Sequence, residues 1–266
     1  MQLAMQVVNA FTEQAFGGNP AAVIVTETWL SESLMQQIAA QNNLSETAFL
    51  VADNAGTHHI RWFSPITEID FCGHATLASA YVLFERQTGI TQLAFFAQAV
   101  GHFTVERDES GLIKMDFPNR EPELITEIPH ALISGLSIKP REVYRNNQAY
   151  FAIYDTEEDV RELTYTSSSL KQLAPWDVVV SSTSQRKQYD FVSRYFWPAN
   201  GGDEDPVTGS IHAGLAPFWQ KRLGKSFLIG FQASKRGGVL HCNVTANRVQ
   251  VAGFAIQYLD GVIVIG

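Results

Sequence analysis

The spacing of apolar and polar positions changes period several times along this chain. At the start, Leu3, Met5 and Val7 alternate with Gln2, Ala4 and Gln6, the period of two that marks a half-buried strand. A short apolar strand, Ala21 to Val25, follows the turn Gly17-Gly18-Asn19-Pro20. The period then lengthens. Leu34, Ile38 and Ala39 share one helical face, with Ser31 placed as N-cap and Glu32 in the first turn, where the helix dipole favours an acid. Strands are expected at Ala48–Ala52 and His59–Phe63, and a second helix from about His74 to Glu85. Residues 91–107 and 112–117 read as strands, with Asp108-Glu109-Ser110-Gly111 as a hairpin turn.

Pro118, Pro122 and Pro129 then punctuate the charged stretch Asn119-Arg120-Glu121-Pro122-Glu123, which marks a domain boundary. After it the pattern begins again. Strands are expected near 149–154, 176–181 and 189–197, a helix opening near Thr208, strands at 226–232, 238–244 and 248–252, and a short terminal strand at Val262–Ile265. The division is therefore into halves 1–118 and 119–255, with 256–266 returning to the first. Gly73-His74-Ala75-Thr76-Leu77-Ala78-Ser79-Ala80-Tyr81 and Gly209-Ser210-Ile211-His212-Ala213-Gly214-Leu215-Ala216 are both Gly-led, small-residue helices almost free of charge. A helix with no polar face is surrounded by protein. The expectation is an α/β (α+β) internal duplication, each half wrapping sheet around one buried helix.

Composition narrows the classes. The chain has 266 residues, 45% apolar and 17% charged, enough for one large domain or two ordinary ones with a sizeable core. A net charge of −8 without any basic run argues against a nucleic-acid partner. The N-terminus has no basic region followed by an apolar stretch, so it does not read as a signal peptide. No run reaches the ~18 apolar residues of a membrane span. Two cysteines, Cys72 and Cys242, exclude a disulfide framework and a four-cysteine zinc site. The cytoplasm is the expected compartment.

Three segments concentrate the ionisable chemistry: Asn43 to Phe49, Asp70 to Thr76, and Gly202 to Ser210. Glu46 stands just before an apolar strand, where a carboxylate beside apolar groups can both accept and donate a proton near neutrality. It also reads as a surface glutamate at a strand start. His74 opens its helix, where a neutral imidazole can hydrogen-bond a substrate oxygen or simply serve the fold. Asp205 precedes Pro206, and Asp205 and Ser210 fit either caps or holders of a substrate amine or hydroxyl. Small residues at helix N-termini let an anion approach unsatisfied backbone N–H groups. Two such ends across an interdomain cleft would hold a carboxylate and stabilise an enolate. Cys72 fits a buried apolar thiol or a nucleophile. Dinucleotide, Walker and GxSxG motifs are absent, and no second Cys/His pair completes a metal set with Cys72 and His74.

Together, Val8-Asn9-Ala10-Phe11-Thr12, Phe16 to Val23, Asn43 to Leu50, Arg61-Trp62-Phe63-Ser64-Pro65, Cys72-Gly73-His74-Ala75-Thr76 and Glu204 to Ser210 make the chain resemble the phenazine-biosynthesis PhzF-like family, within the diaminopimelate-epimerase-like fold. The resemblance runs along nearly the whole chain. It implies two similar halves, each a curved mixed sheet around a central helix, with the active site in the cleft between them. It also implies a catalytic carboxylate at Glu46 with His74, Asp205 and Ser210 as companions, commonly in a homodimer. In the phenazine enzyme the glutamate moves a proton within a dihydro-hydroxyanthranilate, turning an enol system into a ketone without metal or cofactor. The epimerase relatives use two opposed cysteines. Here Cys72 lies near the first position, but the second motif, Asp205-Pro206-Val207-Thr208-Gly209, has none.

The expectation is a cofactor-independent isomerase acting on a small, anionic, carboxylate-bearing metabolite, with no metal. Glu46 is the general acid/base. His74 and Asp205 position and polarise the substrate. Ser45, Ser210 and the backbone of Gly73 and Gly209 bind it. The rival readings are an amino-acid racemase using Glu46 with Cys72, and a non-catalytic scaffold for a metabolite or protein.

Overall fold

The computed structural model describes residues 1–266. The chain begins with β1 (Gln2–Ala10), β2 (Asn19–Thr26), α1 (Glu32–Asn42), β3 (Glu46–Ala52), β4 (His58–Phe63), β5 (Glu68–Ile69), α2 (Gly73–Arg86), β6 (Gln92–Ala97), β7 (Gly101–Arg107) and β8 (Ile113–Pro118). It continues through β9 (Glu123–Leu124), α3 (His130–Gly135), β10 (Glu142–Arg145), β11 (Ala149–Ile153), α4 (Glu157–Glu162) and α5 (Ser167–Leu170). Then come β12 (Asp177–Thr183), β13 (Phe191–Phe196), β14 (Glu204–Asp205), α6 (His212–Leu223), β15 (Phe227–Gln232), β16 (Gly238–Val244), β17 (Arg248–Gly253) and β18 (Ala255–Val264). Two compact units result, Met1–Asp116 with Ala252–Gly266, and Phe117–Val251.

In the first unit the strands run in the order β18-β1-β2-β3-β4-β6-β7-β8, with β5 also on β4. Only β2–β3 and β4–β6 are parallel, and α1 and α2 lie on those two crossovers. Ser31 caps α1 as expected, accepting from Leu34 N–H at 3.3 Å. Asn43 closes it in the left-handed region (φ 49°), which asparagine tolerates, and turns the chain directly into β3. Met35, Ile38 and Ala39 of α1 pack with Ile24, Phe49 and Phe63. Helix α2 is buried from Gly73 to Ala80. The two hydroxyls of this buried stretch are satisfied internally: Thr76 donates to the Cys72 carbonyl (2.6 Å) and Ser79 to that of Ala75 (2.7 Å), so it can be surrounded by apolar groups.

The second unit repeats this plan: β9-β10-β11-β12-β13-β15-β16-β17, with β14 on β13. Again only the crossover pairs, β11–β12 and β13–β15, are parallel among these registered pairs. Its core joins Leu132, Val143, Tyr150, Val178, Val192 and Phe196. In α6, Gly214 is dictated by packing, since a Cβ there would come within 2.7 Å of the Phe151 ring.

The duplication holds residue by residue. Trp62 and Phe63 face Ile69 and Glu68; Tyr195 and Phe196 face Asp205 and Glu204. Ala21 faces Glu46, and Ala149 faces Asp177. Glu46 therefore corresponds to Asp177, Cys72 to Thr208, Gly73 to Gly209 and His74 to Ser210. One ion pair recurs as well: Arg61 Nε lies 2.6 Å from Glu68 Oε1, and Arg194 Nε 2.7 Å from Glu204 Oε1.

Two expectations need correction. The helix read from Thr208 begins at His212. It is preceded by a tight turn in which His212 N–H donates to the Gly209 carbonyl (3.1 Å) and Ala213 N–H to that of Ser210 (3.2 Å). Ser210 thus precedes the helix and does not cap it. The short terminal strand is instead ten residues long, paired antiparallel with β1 from Gln2↔Val264 to Ala10↔Ala255. Pairing with β1 carries it through Asp260-Gly261, which interrupt its apolar pattern.

Candidate active site

In the first unit, Ser45 immediately precedes β3 and Glu46 starts it, Cys72 precedes α2 and His74 lies in its first turn. Asn19 joins them from the start of β2. Its approach depends on Gly18, whose φ is +65° and whose Cβ would fall 2.2 Å from the Ala10 carbonyl oxygen. His74 Nε2 lies 2.9 Å from Glu46 Oε2, both side chains about nine-tenths buried. The contact is poorly directed, so Oε2 receives no well-aligned hydrogen bond. On the other side of the ring, Asn19 Nδ2 is 3.2 Å from Nδ1, and the Ser45 hydroxyl donates to Asn19 Oδ1 at 3.1 Å. In the neutral ring that amide orientation makes Nδ1 the acceptor and leaves the Nε2 proton facing Glu46; once the ring is protonated both nitrogens are donors, and Nε2–H still faces Glu46. Ser45 thereby orients Asn19, and Asn19 orients His74. A buried carboxylate oxygen without a directed donor is costly unless something else uses it. It is the natural landing place for a proton taken from a ligand.

Burial opposes charge on His74, but the acidic groups of Cys72 and Glu46 outweigh it and raise the imidazole well above its usual range. Burial first, and then the Glu46 charge, push the Cys72 thiol up to about 11, so it is neutral at physiological pH. Cys72 Sγ is 3.4 Å from Nδ1 and 3.9 Å from Nε2 of His74, nearly equidistant. This puts it over the ring, out of line with either nitrogen lone pair. Glu46, Cys72 and His74 are the residues a metal ion would use, their ligand atoms within 4.8 Å of one another. Over the ring, the thiol cannot share one ion with an imidazole nitrogen unless it first turns aside.

In the second unit, Asp205 ends β14 and takes a hydrogen bond from the Thr208 hydroxyl. Its carbonyl accepts from Gln232 Nε2 (2.8 Å), and Gln232 Oε1 accepts from Thr208 N–H (2.9 Å). His212 Nδ1 donates to the Thr208 carbonyl at 2.9 Å, and its buried Nε2 has no partner. Burial accordingly pushes this imidazole down to about 4. Ser210 Oγ accepts from Gln148 Nε2 (2.9 Å), which also donates to the Tyr195 hydroxyl (3.1 Å). Tyr195 in turn donates to Asp177 Oδ2 at 2.6 Å, and Asn200 donates to Asp177 Oδ1 at 2.8 Å.

Of the residues expected from the sequence, the structure gathers Ser45, Glu46, Gly73 and His74 in one unit, and Asp205, Gly209 and Ser210 in the other. Asn19, Gln148 and Tyr195 went unassigned a role in the sequence. Asn19 alone gave a signal, as a polar residue in a Gly-Gly-Asn-Pro turn. A groove of about 780 Å³ between Trp29, Arg61 and Phe96 involves none of the expected residues, and its Arg61 is already paired with Glu32 (2.9 Å) and Glu68.

Duplicated mixed sheets with a buried helix in each unit, and an acid–imidazole pair at one helix start, define the class of epimerase-like folds. The family model described as phenazine biosynthesis-like protein matches residues 8–261, and the chain belongs to that family. It is 43% identical to an uncharacterized isomerase of Halalkalibacterium halodurans, over 97% of both chains. It is 34% identical to the human phenazine biosynthesis-like domain-containing protein, over 98% of this chain and 99% of that one. The crystal structure of a phenazine biosynthesis protein of the PhzF family from Enterococcus faecalis aligns with a TM-score of 0.93 at 42% identity over all of both chains. A hydroxyproline epimerase from Agrobacterium vitis shares the fold alone, with a TM-score of 0.62 at 10% identity over 98% of this chain and 92% of that one. The protein is an enzyme of the isomerase class, with an epimerase-type architecture. No helix is long and apolar enough to cross a membrane.

Proposed function

We propose that the protein is a cofactor-independent isomerase that moves a proton within a small carboxylate-bearing metabolite, with Glu46 as general acid/base. One observation carries this: Glu46 Oε2 is buried, lacks a directed hydrogen bond and sits 2.9 Å from His74 Nε2. Oε2 takes a proton from a substrate carbon, the carboxyl proton exchanges with solvent, and Oε2 delivers a proton to a second position, so the substrate's composition is unchanged. His74 stabilises the carboxylate and polarises a substrate oxygen, held in orientation by Asn19 and Ser45. Asp205, Ser210 and the backbone N–H groups of Gly73 and Gly209 bind the substrate's polar groups. The working form is a homodimer in the cytoplasm, which sedimentation and fractionation test.

The racemase reading needs two bases on opposite faces of one carbon. Cys72 and Glu46 lie within 4.8 Å of each other in one unit, and the residue corresponding to Cys72 in the second unit is Thr208. That arrangement favours proton return over inversion. The test is NMR in D2O with a panel of small carboxylates. Incorporation of deuterium with migration of a double bond supports the proposal. Incorporation with inversion at an intact stereocentre supports the racemase. Absence of exchange across the panel supports a scaffold.

A further inference from the structure

The duplication has placed Asp177 where the first unit has Glu46, and Ser210 where it has His74. The two pairs are wired differently. Glu46 Oε2 is left without a directed donor, whereas both oxygens of Asp177 are occupied, by Tyr195 and Asn200. Both Asp177 oxygens are thus engaged, and they set the polarity of the hydrogen bonds around them. The Tyr195 hydroxyl spends its proton on Asp177, so its oxygen can only accept, and it accepts from Gln148 Nε2. The same Nε2 donates to Ser210 Oγ. Because Ser210 accepts from Gln148, its own proton is free to point outward. Gln148 Oε1 is buried and has no partner.

We propose that Gln148, oriented by Tyr195 and Asp177, is a positioning residue that commits Ser210 to donating a hydrogen bond to an anionic substrate oxygen, while its own Oε1 waits for a donor on the same ligand. This rests on the reading of Ser210 as a substrate-binding residue. A carboxylate docking here meets a hydroxyl already turned towards it, so less orientational freedom is lost on binding.

The experiment is calorimetric titration of the whole protein with benzoate and with succinate. Gln148→Glu keeps the side-chain volume but turns the donor into an acceptor, so Ser210 turns its proton inward. Gln148→Met removes the polarity without adding charge and covers the event that the acidic variant does not fold. Each of these, and Ser210→Ala, should weaken binding about tenfold, the equivalent of one lost hydrogen bond. Gln148→Met combined with Ser210→Ala should bind no more weakly than the weaker single variant, because both act through one hydroxyl. Tyr195→Phe should weaken binding in the Ser210 background but not in the Ser210→Ala background, which a merely structural role would not produce. The proposal is overturned if both Gln148 variants bind like the wild type, if the effects multiply in the double variant, or if the wild type binds neither acid. Failure of the isomerase reading looks different: deuterium exchange would be absent or independent of Glu46, while carboxylate binding would still depend on Gln148.

Discussion

His212 makes acid stability a quantitative test of the loop that carries Asp205. Its ring is fully buried, its Nδ1 proton is committed to the Thr208 carbonyl, and its Nε2 faces no acceptor. Protonating Nε2 would bury an unpaired charge, so the folded protein holds this imidazole at about 4. In the unfolded chain it titrates near 6.5. The folded value is the lower one, so the contribution is fully present above the unfolded value and is lost as pH falls from there through about 4. Between pH 7 and 4.5 the linkage relation gives a loss of about 2 kcal/mol from this one group. His74 works in the opposite sense. Its folded value is raised, so its contribution is present below about 6.5 and fades as pH rises through the folded value. The assay is urea unfolding of the wild type and of His212→Asn at pH 7, 6, 5 and 4.5. Asparagine does not titrate, so any cost it imposes at neutrality is constant and the comparison is of slopes. The wild type should lose about 2 kcal/mol more than the variant across that range. Equal slopes, or a steeper one in the variant, would refute the argument.

Other outcomes follow from the same geometry. Cys72→Ala should keep most of the turnover, because the thiol is neutral and lies over the His74 ring; loss of all exchange would move Cys72 into the chemistry. Dialysis against a chelator, with metal analysis before and after, should leave activity unchanged, and recovery by a single divalent ion would overturn the cofactor-free proposal. Gly18→Ala should cost about 2 kcal/mol or more in thermal unfolding and reduce turnover by displacing Asn19, since the new Cβ would meet the Ala10 carbonyl at 2.2 Å in a left-handed conformation; a fully active, equally stable variant would show that Asn19 does not orient His74.

Much of the fold was legible because its longer elements carry a clear period. The Ser31 cap, the alternation in β1 and the uncharged run of α2 each pointed to what the structure contains. Apart from β11, read near 149–154, the short elements between residues 119 and 175 escaped notice. Four to six residues, as in α3, β10 and α4, are too few to display a period. The duplication showed in the sequence only as two Gly-led helices. Its deeper correspondences, Glu46 with Asp177 and His74 with Ser210, pair non-identical residues in dissimilar local sequence and emerge only from strand register. The same holds for the polar networks. That Asn19 reaches His74, or Gln148 reaches Ser210, depends on contacts 55 and 62 residues apart in the chain, which local spacing does not encode.

The central claim is that Glu46 carries the proton. Its most direct test is deuterium incorporation from D2O into a turned-over carboxylate substrate, comparing wild type with Glu46→Gln under conditions where both are folded by circular dichroism. The amide fills the same space beside His74 but cannot cycle a proton at neutral pH. The exchange rate should fall on the order of 10²–10⁴-fold, as expected for loss of a general acid/base. Exchange at the wild-type rate in a folded Glu46→Gln protein would contradict the account.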